Sequence, residues 1–397
     1  MPAGRRSPPE GGVFPDPQTG ATIHQLTNWH AHSHHLYFTN SGLWDGGRRL
    51  LIGSHRHNAR NFCSVELATG EITQLTDFPP DAWPNLLSGF VNPVRDEAYF
   101  VIDREVRALD LRTYEQRRLY AGLEGYRSGN LSCTADGRTV CHVVQEDLSG
   151  KIRMDLGHGY IGFAEYSAAR PRCRIAAIPV DGGEARVVYE EKFWLGHINT
   201  SLALPEVLTF CHEGPWEKIE QRMWMLNIST GKAEPLRKQA PGETIGHEYW
   251  FADGQRVGYH GTRPARGKDR RRQVGPRGVH IFGNIRWDNT GRQEFDFPHG
   301  STHFHSMDEQ LIVGDGSREQ PFLLLWRLKD GKYEGPRRLL THRGSWHVQL
   351  LHVHPRMFRA EDGQARIVYT ADPQGYGNVY IADVPDFDSL PEVEGKK

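Results

Sequence analysis

"DGGRRLLIGSHRHNARNFCSVELATGEITQLTDF", residues 45–78, is the stretch on which the fold turns. It reads as turn, strand, loop, strand, A-T-G-E hairpin and strand. Short apolar runs bounded by Gly, Asp and Asn are strand signals, and runs with helical period are scarce along the chain. The same order recurs in "DEAYFVIDREVRALDLRTYEQRRLYAG", residues 96–122. It recurs in "DGRTVCHVVQED" with "RCRIAAIPVDGGEARVVYEE", a copy split by an insertion. Three further copies follow: "PEVLTFCHEGP" with "RMWMLNISTGKAEPLRKQ", "DGQRVGYHGT" with "GVHIFGNIRWDNTGRQEFDFP", and "DEQLIVGDGS" with "FLLLWRLKDGKYEGPRRLLTHR". A seventh, "DGQARIVYTADPQGYGNVYIADVPD", stops after its third strand.

Repeats of this length, with four short strands each, specify a β-propeller, in which each blade buries its faces against its neighbours. The strand missing from the last copy has a counterpart. "TGATIHQLTN" (19–28) matches "TGEITQLTD" (69–77), the outer strand of the first full copy, and has no preceding strands of its own. The expectation is an all-β, seven-bladed β-propeller whose ring is closed by the N-terminal strand completing the last blade. Residues 1–18 read as a flexible lead-in, 19–388 as one propeller domain and 389–397 as a tail.

The bulk numbers narrow the function. A formal net charge of -1 over 397 residues lacks the basic excess of a nucleic-acid binder. No apolar run approaches the roughly 18 residues of a membrane span, and the first residues lack the apolar region of a secretory signal. Five scattered cysteines without a C-x-x-C pair fit reduced thiols and a cytoplasmic setting.

The 21 histidines are the unusual feature. Several fall just ahead of a blade's first turn, where the innermost strand of a propeller lies. His197 opens "HINTS", His247 opens "HEYWFADG", and His303 and His305 lie in "HFHSMDEQ". His352 and His354 lie in "HVHP", and His34 lies in "HAHSHHLYF". Scattered core histidines would not keep this phase, and the ring would bring these together at its axis.

Within "WHVQLLHVHPRMF" (346–358), His352 and His354 are two apart and on a strand would point to one side. Gln349 reaches that side only if the chain bends. Three imidazoles and an oxygen make a transition-metal site, and an amide oxygen favours a harder ion such as manganese or calcium over structural zinc. His303 on the neighbouring blade is the expected fourth ligand, with His305 as its competitor, and His347 has no phased partner. "FCHEGPWEKIEQRMW" (210–224) gathers acid-binding groups: His212, Lys218 and Arg222, the last suited to gripping a carboxylate. The basic run 262–278 reads as a solvated insertion with a field that draws anions.

These residues carry a resemblance. "SHHLYFTN" (33–40), "HEGPWEKIEQRMW" (212–224), "GHEYWFADG" (246–254), "VGDGS" (313–317) and above all "QLLHVHPRMF" (349–358) resemble the oligogalacturonate lyases. The resemblance implies a seven-bladed propeller that degrades short pectin fragments and binds manganese through three histidines and a glutamine. Gln349, His352 and His354 match that set, with His303 or His305 as the remaining histidine. The resemblance also makes His247 the catalytic base and Arg222 an active-site arginine. His212, Lys218, His197 and His34 are the expected substrate contacts, and the partner is an acidic oligosaccharide. The basic run departs from the family pattern. Two other readings are weighed against this one: a lyase for a different uronate, and a propeller that only binds. A glycoside hydrolase would need paired carboxylates in phase near the axis, and the sequence offers none.

Overall fold

The computed structural model describes residues 2–156, 159–265, 278–297 and 299–393. Their strands form seven sheets, the blades of the expected propeller. Five blades are four-stranded meanders in chain order. Their innermost strands are Asn85–Val91, Tyr126–Cys133, Leu195–Thr200, Thr244–Trp250 and Phe304–Ser306. The middle strands read as continuous apolar runs because both faces are covered. Glu97–Ile102, "EAYFVI", is buried at all six positions. Core clusters bridge adjacent blades: Leu51 and Phe62 of the first pack with Phe100 and Leu109 of the second.

The ring closes as the sequence implied. Thr22–Gln25 pairs antiparallel with Asn378–Asp383, setting Ile23 opposite Ala382 and Gln25 opposite Tyr380. The last blade thus joins both ends of the chain. The lead-in 1–18 differs from a flexible segment. Arg6–Ser7 adds a strand to the outer edge of the first blade, and Val13–Pro15 adds one to the last. Outer edges present unpaired N–H and C=O groups, and these short strands take them. At the other end, Leu390 is buried and Pro391 accepts a hydrogen bond from the Arg338 amide, so the start of the tail lies on the sixth blade.

Two insertions interrupt the repeat. The third blade carries the helix Phe163–Ala168 between its second and third strands, with Tyr166 buried. Of the basic stretch 262–278, residues 266–277 lie outside the described residues.

The innermost strands share a local irregularity that positions the site. The pairing of Leu195–Thr200 skips His197 and Ile198, and that of Thr244–Trp250 skips Gly246 and His247. Each is a β-bulge following a Gly-His pair or spanning it, and a bulge re-aims the side chain it carries. Gly246 has no alternative here, because a Cβ would sit 2.6 Å from the His260 ring.

Candidate active site and metal centre

Three of the phased histidines converge. His303, His352 and His354, all buried, each offer a ring nitrogen within 4.8 Å of the others. The His303 and His354 rings lie 4.4 Å apart, centre to centre. Asp315 holds His303 from behind. Its Oδ2 lies 2.6 Å from His303 Nδ1, while its Oδ1 accepts from the amides of Thr302 and His303. A carboxylate accepts only, so Nδ1 carries the proton and Nε2 presents a lone pair.

The other two rings show what the cluster lacks. His352 Nδ1 and His354 Nε2 are buried and make no hydrogen bond. Buried polar atoms without partners are costly and mark a ligand to be held. Burial, reinforced by repulsion from His303, pushes His352 down to about 3 and His354 well below the usual imidazole range. Both are therefore neutral, as metal ligation requires.

The chain reaches this arrangement differently from the expected strand. The last blade's innermost strand is Arg356–Arg359, and His352 and His354 precede it in irregular backbone. Val353 between them packs into the core. His354 takes φ +45°, a left-handed conformation costly for a side chain with a Cβ. His35 secures it: its Nε2 donates to the His354 carbonyl at 2.8 Å, and Thr370 Oγ1 lies 2.7 Å from its Nδ1. Gln349 sits on the single-turn helix Gln349–Leu351, which supplies the bend that the sequence required. Its carbonyl accepts from the His352 amide at 3.2 Å.

His305 is engaged elsewhere. Its Nδ1 accepts from the Met357 amide at 3.1 Å, Arg356 flanks its Nε2, and its ring stacks on Tyr249 at 4.9 Å. Of the two histidines left open by the sequence, His303 is the one grouped with His352 and His354.

His247 adjoins the cluster, its ring 4.5 Å from that of His303. Its Nδ1 lies 2.8 Å from the Thr302 carbonyl, which can only accept. The proton is thus on Nδ1, and Nε2 keeps a free lone pair. Burial, and then repulsion from His303, His197, His260 and Arg222, holds His247 well below the ordinary imidazole range. It is a neutral imidazole with its tautomer fixed, the form a general base requires.

Beyond His247 lies a network of charges. Arg222 is 1 % exposed. It donates from Nε to the Gly246 carbonyl at 2.8 Å and from Nη1 to Glu213 at 3.2 Å, with Glu248 3.4 Å away. His197 faces both carboxylates, Glu213 at 3.2 Å and Glu248 at 3.7 Å, and its ring is 5.3 Å from His247. Burial would raise Glu213, but Arg222 and His197 bring it well below the usual carboxylate range. Burial likewise opposes the charge on Arg222, and its anionic neighbours outweigh it.

Other expected contacts are set apart. His212 stacks on Phe193 at 3.9 Å, and its Nε2 lies 3.0 Å from Glu191. It fills the contact between the third and fourth blades. His34 is buried, its Nδ1 bonded to the His35 carbonyl, beside His55 rather than His303. Lys218 is exposed on the one-turn helix Trp216–Lys218, whose Trp216 ring touches His247 at 5.9 Å. The residues that motif reading missed are Asp315, His35, Glu213 and Glu248. Asp315 lay within the quoted "VGDGS", and Glu213 and Glu248 each follow a quoted histidine.

The fold and the site together define a class: a seven-bladed propeller with a buried cluster of imidazoles, on and just ahead of its innermost strands, of a kind that could hold a metal ion. Comparison with known proteins gives the family. Residues 1–388 match the oligogalacturonate lyase family profile, and the chain belongs to that family. It is 28% identical to the oligogalacturonide lyase of Pectobacterium atrosepticum over 423 aligned positions, covering 97% of this chain and 99% of that one. It is 29% identical to the oligogalacturonate lyase of Dickeya dadantii, covering 94% and 96%. A solved oligogalacturonate lyase in complex with manganese superimposes with a TM-score of 0.84 at 26% identity, covering 97% of this chain and 99% of that one.

Proposed function

We propose that this chain is a divalent-metal-dependent lyase that cleaves short oligogalacturonates by β-elimination, in the breakdown of pectin fragments. The observation that carries the reading is the pair of orphaned nitrogens, His352 Nδ1 and His354 Nε2, beside His303. Three imidazoles, with Gln349 three residues ahead of His352, fit a divalent transition metal. The ligands we assign are His303, His352, His354 and Gln349, and the cation is manganese, as in the solved relative. Five free, buried cysteines support placement in the cytoplasm.

The chemical difficulty is charge. Removing the C5 proton of a uronate loads a second negative charge onto a group that already carries one. A cation bound to the imidazoles supplies Lewis-acid stabilisation of that carboxylate. The chain's own residues do the rest. His247 Nε2 takes the C5 proton, with Thr302 fixing its tautomer. Arg222, locked between Glu213 and Glu248, is a fixed charge beside the base, so it stabilises developing charge by its field. His197 and the rim lysine Lys218 are the remaining substrate-facing groups of the set.

The test is an absorbance assay for unsaturated product with digalacturonate, run on chelated protein before and after manganese is restored. The reading expects activity to vanish on chelation and return with the ion. An unchanged rate after chelation, or no unsaturated product in any condition, contradicts it. A parallel series of other uronate oligomers fixes the substrate.

A further inference from the structure

In the chair of a galacturonate, the C5 hydrogen and the C4 oxygen are trans-diaxial and leave from opposite faces of the ring. A base placed for the first cannot protonate the second. We propose that Tyr37 is a further catalytic residue, whose phenol donates a proton to the oxygen leaving C4. This rests on the lyase reading above.

The geometry is specific. Tyr37 is held by its backbone on both sides: its amide donates to the Leu87 carbonyl at 2.8 Å, and its carbonyl accepts from Asn40 at 2.7 Å. Its ring lies edge-on to His354 at 4.8 Å, to His197 at 5.8 Å and to His303 at 6.4 Å. His303 and His197 are also the ring neighbours of His247, at 4.5 and 5.3 Å. Phenol and base are thus set apart by the width of one imidazole, the spacing that a sugar attacked from two faces needs. Phe38, next in the chain, is fully buried against the same histidines and fixes which way Tyr37 turns. Tyr37 itself is partly exposed.

Its hydroxyl is also unspent. Those of Tyr99, Tyr166, Tyr189, Tyr249, Tyr259 and Tyr333 bond to protein partners; several others do not, and among these, within the described residues, Tyr37 is the one whose ring meets His303, His354 and His197. That of Tyr37 makes no hydrogen bond among the described residues. A tyrosine anchored at the backbone and wedged among candidate ligands, yet free at its one polar atom, is placed to serve a substrate.

The step balances. The C5–H bond breaks, and its proton goes to His247 Nε2. Its electron pair forms the C4–C5 double bond, and the C4–O4 bond breaks. The pair left on O4 takes the phenolic proton. His247 is left as imidazolium and Tyr37 as phenolate, and a proton passed from the first to the second through water resets the site.

The experiment compares Tyr37→Phe with the wild type on two substrates. One is digalacturonate. The other is a methyl galacturonide with fluorine in place of the 4-hydroxyl, whose fluoride leaves without a proton. Unsaturated product and released fluoride are both measured, and elemental analysis checks that metal content is unchanged. The expected result is a loss of about 10²-fold or more on digalacturonate, the usual scale of general-acid catalysis, and of less than about threefold on the fluoride. His247→Ala is expected to fail on both. Equal losses on the two substrates in Tyr37→Phe, or no loss on digalacturonate, overturn the role of Tyr37 alone. Absence of product from wild type with digalacturonate overturns the lyase reading and Tyr37 with it.

Discussion

Two walls meet at His247, and they are built on opposite principles. On one side stand the rings of His303, His352 and His354, the last two with buried nitrogens that bond to nothing. On the other, Arg222 pairs with Glu213 and Glu248, and His197 faces both carboxylates. The first wall leaves two ring nitrogens without protein partners, which the proposed ion would take. The second already pairs its cation within the protein: a ligand that took Arg222 would strip it from two carboxylates, although His197 Nδ1 and the Glu248 oxygens also make no hydrogen bond. In the proposed mechanism Arg222, already paired within the protein, acts as a fixed field near His247 rather than as a substrate contact, and the imidazole wall does the binding.

The largest effect should come from breaking the imidazole wall. His352→Ala or His354→Ala is expected to empty the metal centre and reduce elimination to background, with the fold kept. Elemental analysis and the absorbance assay read both, and full metal occupancy in either variant would remove that residue from the ligand set. Breaking the charged wall should act on stability first. Arg222→Met leaves Glu213 and Glu248 buried without their cation, a loss of about 3–5 kcal/mol. Urea unfolding measures it, and a midpoint within error of wild type would show that the network is not held by Arg222.

A subtler change sharpens the same comparison. Asp315→Asn keeps shape but weakens the acceptor behind His303, and metal affinity should fall about 10–100-fold with little change in unfolding midpoint. Manganese titration followed by calorimetry tests this. The smallest effect belongs to a histidine outside both walls. Burial pushes His142 down to about 4, against a backbone hydrogen bond that raises it. Between pH 6.5 and about 4 the unfolded chain takes up this proton and the folded chain does not, so stability falls as pH drops through that window. His142→Asn should flatten the slope there by up to about 1.4 kcal/mol per pH unit. Parallel slopes for the two proteins would contradict it.

Sequence made the blades legible because each is local: turn, strand and hairpin signals sit within some fifty residues. The closing strand was legible for the same reason, as "TGATIHQLTN" copies its counterpart in the first blade. The phased histidines could be grouped because the ring imposes one address per blade. What repeat logic does not carry is the direction of each side chain. His212 and His34 belong to promising motifs, yet blade packing turns them to Phe193 and to His55. His354 reaches the cluster through a left-handed turn rather than by strand alternation. Asp315 in "VGDGS" acquires its meaning only from His303, and Tyr37 only from rings more than a hundred residues away.

The strand Thr22–Gln25 also imposes an order of events. Its partner Asn378–Asp383 lies more than 350 residues further along the sequence, so the pair forms only after all the blades between them have been made. His303 belongs to the sixth blade, complete in itself, whereas His352 and His354 precede the blade that Thr22–Gln25 completes. Capture of the proposed ion is therefore expected to follow closure of the ring, because the blade behind His352 and His354 is complete only once Thr22–Gln25 and Asn378–Asp383 pair.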